Sequence, residues 1–108
     1  MVPQIPPSAL PGLTLKAWVK FKVAAGVLTL VSSFNVTGMA RNSIGNYTIT
    51  LTNAMAGTDQ LLIFNFDTGG LTVPTCSFYT KSTTVPAVIC GAGGALADPV
   101  NGYVALYE

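Results

Sequence analysis

Between Leu13 and Val23 the residue type changes at every step. Leu13, Leu15, Ala17, Val19, Phe21 and Val23 alternate with Thr14, Lys16, Trp18, Lys20 and Lys22. A period of two is that of an extended strand with one face buried, whereas a helix would place its apolar residues three and four apart. Nowhere in the chain is there a stretch with the helical period. Tyr47, Ile49 and Leu51 alternate with three threonines in the same way. Further runs rich in β-branched and aromatic residues cover Val27 to Val36, Asp59 to Phe66, Leu71 to Thr80, Ala87 to Cys90 and Tyr103 to Tyr107. Turn chemistry separates them: Ala24-Ala25-Gly26, Thr37-Gly38, a loop over Arg41 to Asn46, Asp67-Thr68-Gly69-Gly70, Gly91 to Gly94, and Asp98-Pro99. Pro74 lacks the N–H a ladder needs, which marks its run as an edge strand or a bulge. Roughly seven short strands at this spacing predict an all-β fold, a single antiparallel β-sandwich or jelly-roll-like domain.

The chain has 108 residues, enough for one core and too few for two. Its first twelve residues contain Pro3, Pro6, Pro7, Pro11 and Gly12, which favour an extended, polyproline-like segment. We therefore divide the chain into an N-terminal arm, 1–12, and a sandwich domain, 13–108. Ile5 and Leu10 are the arm's apolar handles. They suit either a grip on a neighbouring subunit or a return onto the arm's own domain.

Charged residues make up 8% of the chain and apolar ones 50%. So little charge is poor cover for an isolated globule and points to burial within an assembly. Five basic residues and a net charge of +1 are too few to track a phosphate backbone, so nucleic acid is not an expected partner. Val23 to Val31 is the longest apolar stretch and falls short of the span a bilayer requires, so no membrane helix is expected. The start, Met-Val-Pro-Gln-Ile-Pro-Pro, has neither the basic nor the apolar region of a secretory signal, which leaves the cytoplasm as the expected site of synthesis. Cys76 and Cys90 are compatible with two buried thiols or with one bridge between neighbouring strands. The sequons at Asn35 and Asn46 carry no weight without a secretory signal.

The chain contains no histidine, the commonest general base, metal ligand and activator of nucleophiles. Asp59, Asp67, Asp98 and Glu108 stand alone in sequence and read as solvated turn carboxylates. No catalytic, metal or cofactor site is therefore expected, and a small-molecule ligand is not. Leu61 to Gly69 resembles the apolar strand and Asp-Thr-Gly turn of retroviral-type aspartic proteases. In that family the motif stands nearer the start of the chain, and Asp67-Thr68-Gly69-Gly70 is also ordinary hairpin-turn chemistry. Gly91 to Gly94 lacks the following helix of a phosphate-binding loop and reads as a flexible loop. Lys16, Trp18, Lys20 and Lys22 form the one concentrated polar and aromatic strip. Trp18 could be a stacking platform for a glycan or a base, or it could pack under a second sheet or a neighbouring subunit.

The runs Lys16-Ala17-Trp18-Val19-Lys20-Phe21, Ser33-Phe34-Asn35-Val36, Gly45-Asn46-Tyr47-Thr48-Ile49 and Ala54-Met55 together resemble a small β-rich module of phage and prophage tail-fibre and virion proteins. The resemblance covers about residues 15 to 56, and the chain from Asp59 onward departs from the pattern. It implies a virion structural protein made in the bacterial cytoplasm, most simply a capsid decoration or cement protein. Its partners would be itself, as homodimer or homotrimer, and the major capsid protein or other virion proteins. Ile5, Leu10, Lys16, Trp18, Lys20 and Lys22 are the expected interface. The alternative the resemblance implies is a tail-tip receptor-binding module presenting Trp18, Tyr47, Tyr79 or loop tips.

Overall fold

A computed structural model describes residues 9–10, 13–67 and 74–108. Among the described residues ten strands follow one another: β1 (Ala9–Leu10), β2 (Leu13–Ala24), β3 (Val27–Phe34), β4 (Val36–Ser43), β5 (Asn46–Leu51), β6 (Leu61–Asp67), β7 (Pro74–Thr80), β8 (Ala87–Ala92), β9 (Ala95–Leu96) and β10 (Asn101–Tyr107). Among the described residues there is no helix, and so none long and apolar enough to cross a membrane. The strands form two antiparallel sheets of five. The first runs β1-β2-β10-β6 with β3 also on β2, and the second runs β4-β5-β8-β7 with β9 on β8. This is the expected sandwich.

The alternation along β2 decides which face is buried. Ala17, Val19, Phe21 and Val23 point inward with Val104 and Leu106 of β10 and Phe66 of β6. From the second sheet Tyr47, Ile49 and Leu51 of β5 and Val88 and Cys90 of β8 meet them, and the loop residue Met55 closes one end. β2 turns into β3 through Ala25 and Gly26 at φ +51° and +75°. Two left-handed residues make the turn whose twist matches a hairpin, and Ala25 is the strained one because its Cβ crowds the following carbonyl. Ala25→Asn is therefore expected to raise stability by about 1 kcal/mol, read as a higher melting temperature; a lower one would mean that the turn is not left-handed at this position.

Asn35 carries the chain from one sheet to the other in a single left-handed residue, φ +57°. Its amide donates to the carbonyls of Lys16 and Asn53, both at 3.0 Å, and its side-chain oxygen accepts from the Asn53 N–H at 2.7 Å. This corner ends β3 at Phe34, so the run expected through Val36 is cut two residues short.

Three segments expected as turns or loops are ladders instead, the first being Thr37-Gly38, which lies inside β4 with Gly38 opposite Thr50. Residues 41–43 belong to β4, where Arg41 pairs with Tyr47 and Ser43 with Asn46. β4 is an edge strand, and its polar residues give it the look of a loop in sequence. Gly91 and Ala92 complete β8, and Gly93 and Gly94, at φ +63° and +84°, turn it tightly into β9 rather than forming a flexible loop. β7 begins at Pro74 and pairs with β8 alone among the described residues, as its proline requires.

Candidate functional site

The register of the first sheet builds an ordered outer face. Cross-strand partners point to the same side, so three rows run across β3, β2, β10 and β6. They are Phe34, Trp18, Ala105, Ile63; then Ser32, Lys20, Tyr103, Asn65; then Thr29, Lys22, Asn101, Asp67. Trp18 and Tyr103 are diagonal neighbours with ring centroids 6.0 Å apart and planes at 33°. Ala105, opposite Trp18 on one side and Ile63 on the other, is buried on this outer face. A groove of about 540 Å³ crosses this face, lined by Trp18, Lys20, Tyr103, Asn65, Asn101 and Asp67.

The groove presents groups that suit recognition. Two aromatic faces offer stacking surface, two asparagine amides offer donors and acceptors, and Lys20 and Lys22 give the face a positive bias. Burial, together with the nearby Tyr107, raises the Tyr103 phenol above its ordinary value. Its hydroxyl therefore keeps its proton at neutral pH and can donate. Among the described residues no group of three or more His, Cys, Asp or Glu could hold a metal ion. Asp67 closes the third row, while Thr68 and Gly69 of the Asp-Thr-Gly motif lie outside the described residues.

Of the expected interface residues, Trp18, Lys20 and Lys22 share this face, with Lys20 and Lys22 exposed and Trp18 half-buried. Lys16 continues their strip on β2 and is half-buried. Leu10 is placed by its backbone in β1, where it pairs with Leu13 of β2. Ile5 lies outside the described residues, as does the arm over 1–8. The face continues to the edge of the sheet, where β3 leaves Val27, Val31 and Phe34 at 65%, 52% and 50% exposure. Phe34 is thus outside the core. β3 pairs only with β2 among the described residues. Tyr79 is exposed on β7, but Tyr47 is fully buried and cannot present itself to a receptor. Its ring packs against Phe21 with centroids 5.3 Å apart.

A second cluster corrects the reading of Asp98 as a solvated turn carboxylate. Asp98 accepts from Arg41 Nε and Nη2, the latter at 2.8 Å, from the Gly45 N–H at 2.9 Å and from the Tyr47 hydroxyl at 2.5 Å. Burial pushes its pKa up, but the hydrogen bonds from Arg41, Gly45 and Tyr47 and the arginine's charge outweigh that and hold it below the usual value. Tyr47, desolvated and donating to Asp98, is raised far above an ordinary phenol. The cluster is a clasp between the β4–β5 turn and the segment before β10. Glu108 is also engaged, accepting from the N–H groups of Ala56 at 3.1 Å and Gly57 at 2.8 Å.

The β10 and β6 contributions to the groove, Tyr103, Asn101 and Asn65, were missed in sequence. Their strands are far from β2 along the chain, and only the strand order brings them beside Trp18. Comparison with protein-family models, curated proteins and solved structures yields no match.

Proposed function

We propose that the protein is a non-catalytic structural component of a bacteriophage particle, most simply a capsid decoration or cement protein. It would bind the assembled shell through the Trp18–Tyr103 face and the apolar β3 edge beside it. The observation that carries this reading is the row Phe34, Trp18, Ala105, Ile63, an aromatic and aliphatic band that ends at an edge strand with exposed Val27 and Val31. Isolated proteins blunt such edges with charge, and this chain has little to spend on that. A ligand that binds only assembled shells stabilises them by mass action. The resemblance of residues 15–56 to virion modules supplies the particle.

Cosedimentation with phage capsids that lack the protein tests this. Wild type is expected to bind saturably, and Trp18→Ala to weaken binding at least about 30-fold, the scale of a buried tryptophan anchor, with the domain still folded at the assay temperature. Equal binding by the variant would remove this face from the interface. The second reading, a tail-tip receptor-binding module, draws on the groove itself, whose rings and amides suit a sugar. Saturable binding to host cells or their surface glycans, with none to capsids, would favour it.

A further inference from the structure

We propose that Cys76 and Cys90 are a redox couple which closes into a cross-strand disulfide between β7 and β8 when the protein meets a peroxide. The two residues are direct partners in the ladder, and their sulfurs lie 3.5 Å apart. The Cys90 N–H donates to the Gly45 carbonyl at 2.6 Å, and the Cys90 carbonyl accepts from the Ala97 N–H at 3.0 Å. Both peptide groups of Cys90 therefore point away from β7. That makes Cys76 and Cys90 a non-hydrogen-bonded pair, the kind in which opposed Cα atoms come closest, about 4.5 Å. Disulfides span Cα separations of about 4.4 to 6.8 Å, so the strands already stand at bridging distance and side-chain rotation suffices.

The two thiols differ in a way that assigns roles. Cys90 is buried in the core and its thiol donates to the Cys76 sulfur. Cys76 is half-buried on an edge strand. The accepted hydrogen bond lowers the Cys76 pKa, against the effect of burial, and the same bond, burial and the charges of Cys76 and Asp98 raise that of Cys90. Cys76 is the attacking sulfur and Cys90 the resolving one.

In the first step the Cys76 thiolate attacks a peroxide oxygen. An S–O bond forms, the O–O bond breaks, and the departing oxygen leaves as an alcohol or water after taking a proton. Cys90 then loses its proton and attacks the Cys76 sulfur; the S–S bond forms, the S–O bond breaks, and hydroxide leaves as water. Two thiols and one peroxide give one disulfide, one alcohol or water, and one further water. The bond ties the edge strand β7 to β8, the strand that carries Val88 and Cys90 in the core. It is independent of what the outer face of the other sheet binds.

The test uses the full chain, purified reduced and treated with one equivalent of hydrogen peroxide. The product is expected to run as a single uncross-linked chain under non-reducing denaturing conditions, two hydrogens lighter and unreactive to maleimide, with a digest in which the Cys76 and Cys90 peptides are linked. Its melting temperature should rise by roughly 10 °C and fall back with dithiothreitol. Cys90→Ala should instead trap a sulfenic acid at Cys76, detected with dimedone, and Cys76→Ala should leave Cys90 unoxidised. Two maleimide-reactive thiols after peroxide, disulfides only between molecules, or sulfonic acid at Cys76 without a bridge would each overturn the proposal. Should Cys90→Ala not fold, the mass and digest of the wild type decide alone.

Discussion

Phe21→Ala is expected to destabilise the domain by about 3 to 5 kcal/mol, seen as a lower urea midpoint at an unchanged slope. Phe21 is 1% exposed and central to the core, between β10 of its own sheet and Tyr47 of the facing one. Its ring lies on Gly102, where a Cβ would come within 2.6 Å of the ring's Cζ and 2.7 Å of its Cε1. The glycine has left a space that the phenyl ring fills, so truncation opens a cavity walled on the β10 side by backbone, which closes in less readily than side chains do. Against a total stability of about 5 to 15 kcal/mol, that loss is a large share. The converse change, Gly102→Ala, should also destabilise, by overpacking against the ring. Combining it with Phe21→Leu should cost less than the two single changes added together, because each makes room for the other. Strict additivity would show that Phe21 and Gly102 do not share this space.

The pairing of Phe21 with Gly102 also marks where sequence reasoning stopped. From Ala17 to Val23 the alternation identified the inward face of β2 correctly, since a buried strand face leaves a pattern in neighbouring residues. The prolines and glycines located most of the turns for the same reason. What joins distant segments leaves no such mark. Arg41 and Asp98 are 57 positions apart and look like a loop cation and a turn anion until the β4–β5 turn is set against the end of β9. The polar β4 lacked an apolar face to announce it, because an edge strand covers one face only in part. For the outer face, the sequence showed Trp18 and its lysines but not Tyr103, Asn101 or Asn65. Likewise Cys76 and Cys90 were known to lie in β-like runs, but their direct opposition is a matter of register.

Asp98→Ala is expected to cost about 3 kcal/mol, because it leaves the Gly45 N–H and the buried Tyr47 hydroxyl without an acceptor. Gly45 cannot shift to find another. Its φ is +68°, and a Cβ there would collide with the Cys90 carbonyl oxygen and stand 2.9 Å from the Ala97 nitrogen. The carboxylate also makes the clasp sensitive to acid. Its folded pKa lies below the unfolded value, so its contribution is fully present above the unfolded pKa of about 3.9 and is lost as pH falls through the lower, folded one. Wild type should therefore keep a level stability near neutral pH and lose part of it below about pH 4. Asp98→Asn retains an oxygen for Gly45 and Tyr47 but turns an uncharged amide toward Arg41. It should start less stable than wild type at pH 7, and the gap should narrow by pH 3, below the unfolded pKa of about 3.9, where the unfolded wild-type chain takes up a proton that the folded clasp resists. Urea midpoints of the two proteins at both pH values measure this directly. A gap of the same size at pH 3 as at pH 7 would mean that Asp98 holds the clasp by shape and hydrogen bonding alone, and that its charge contributes nothing.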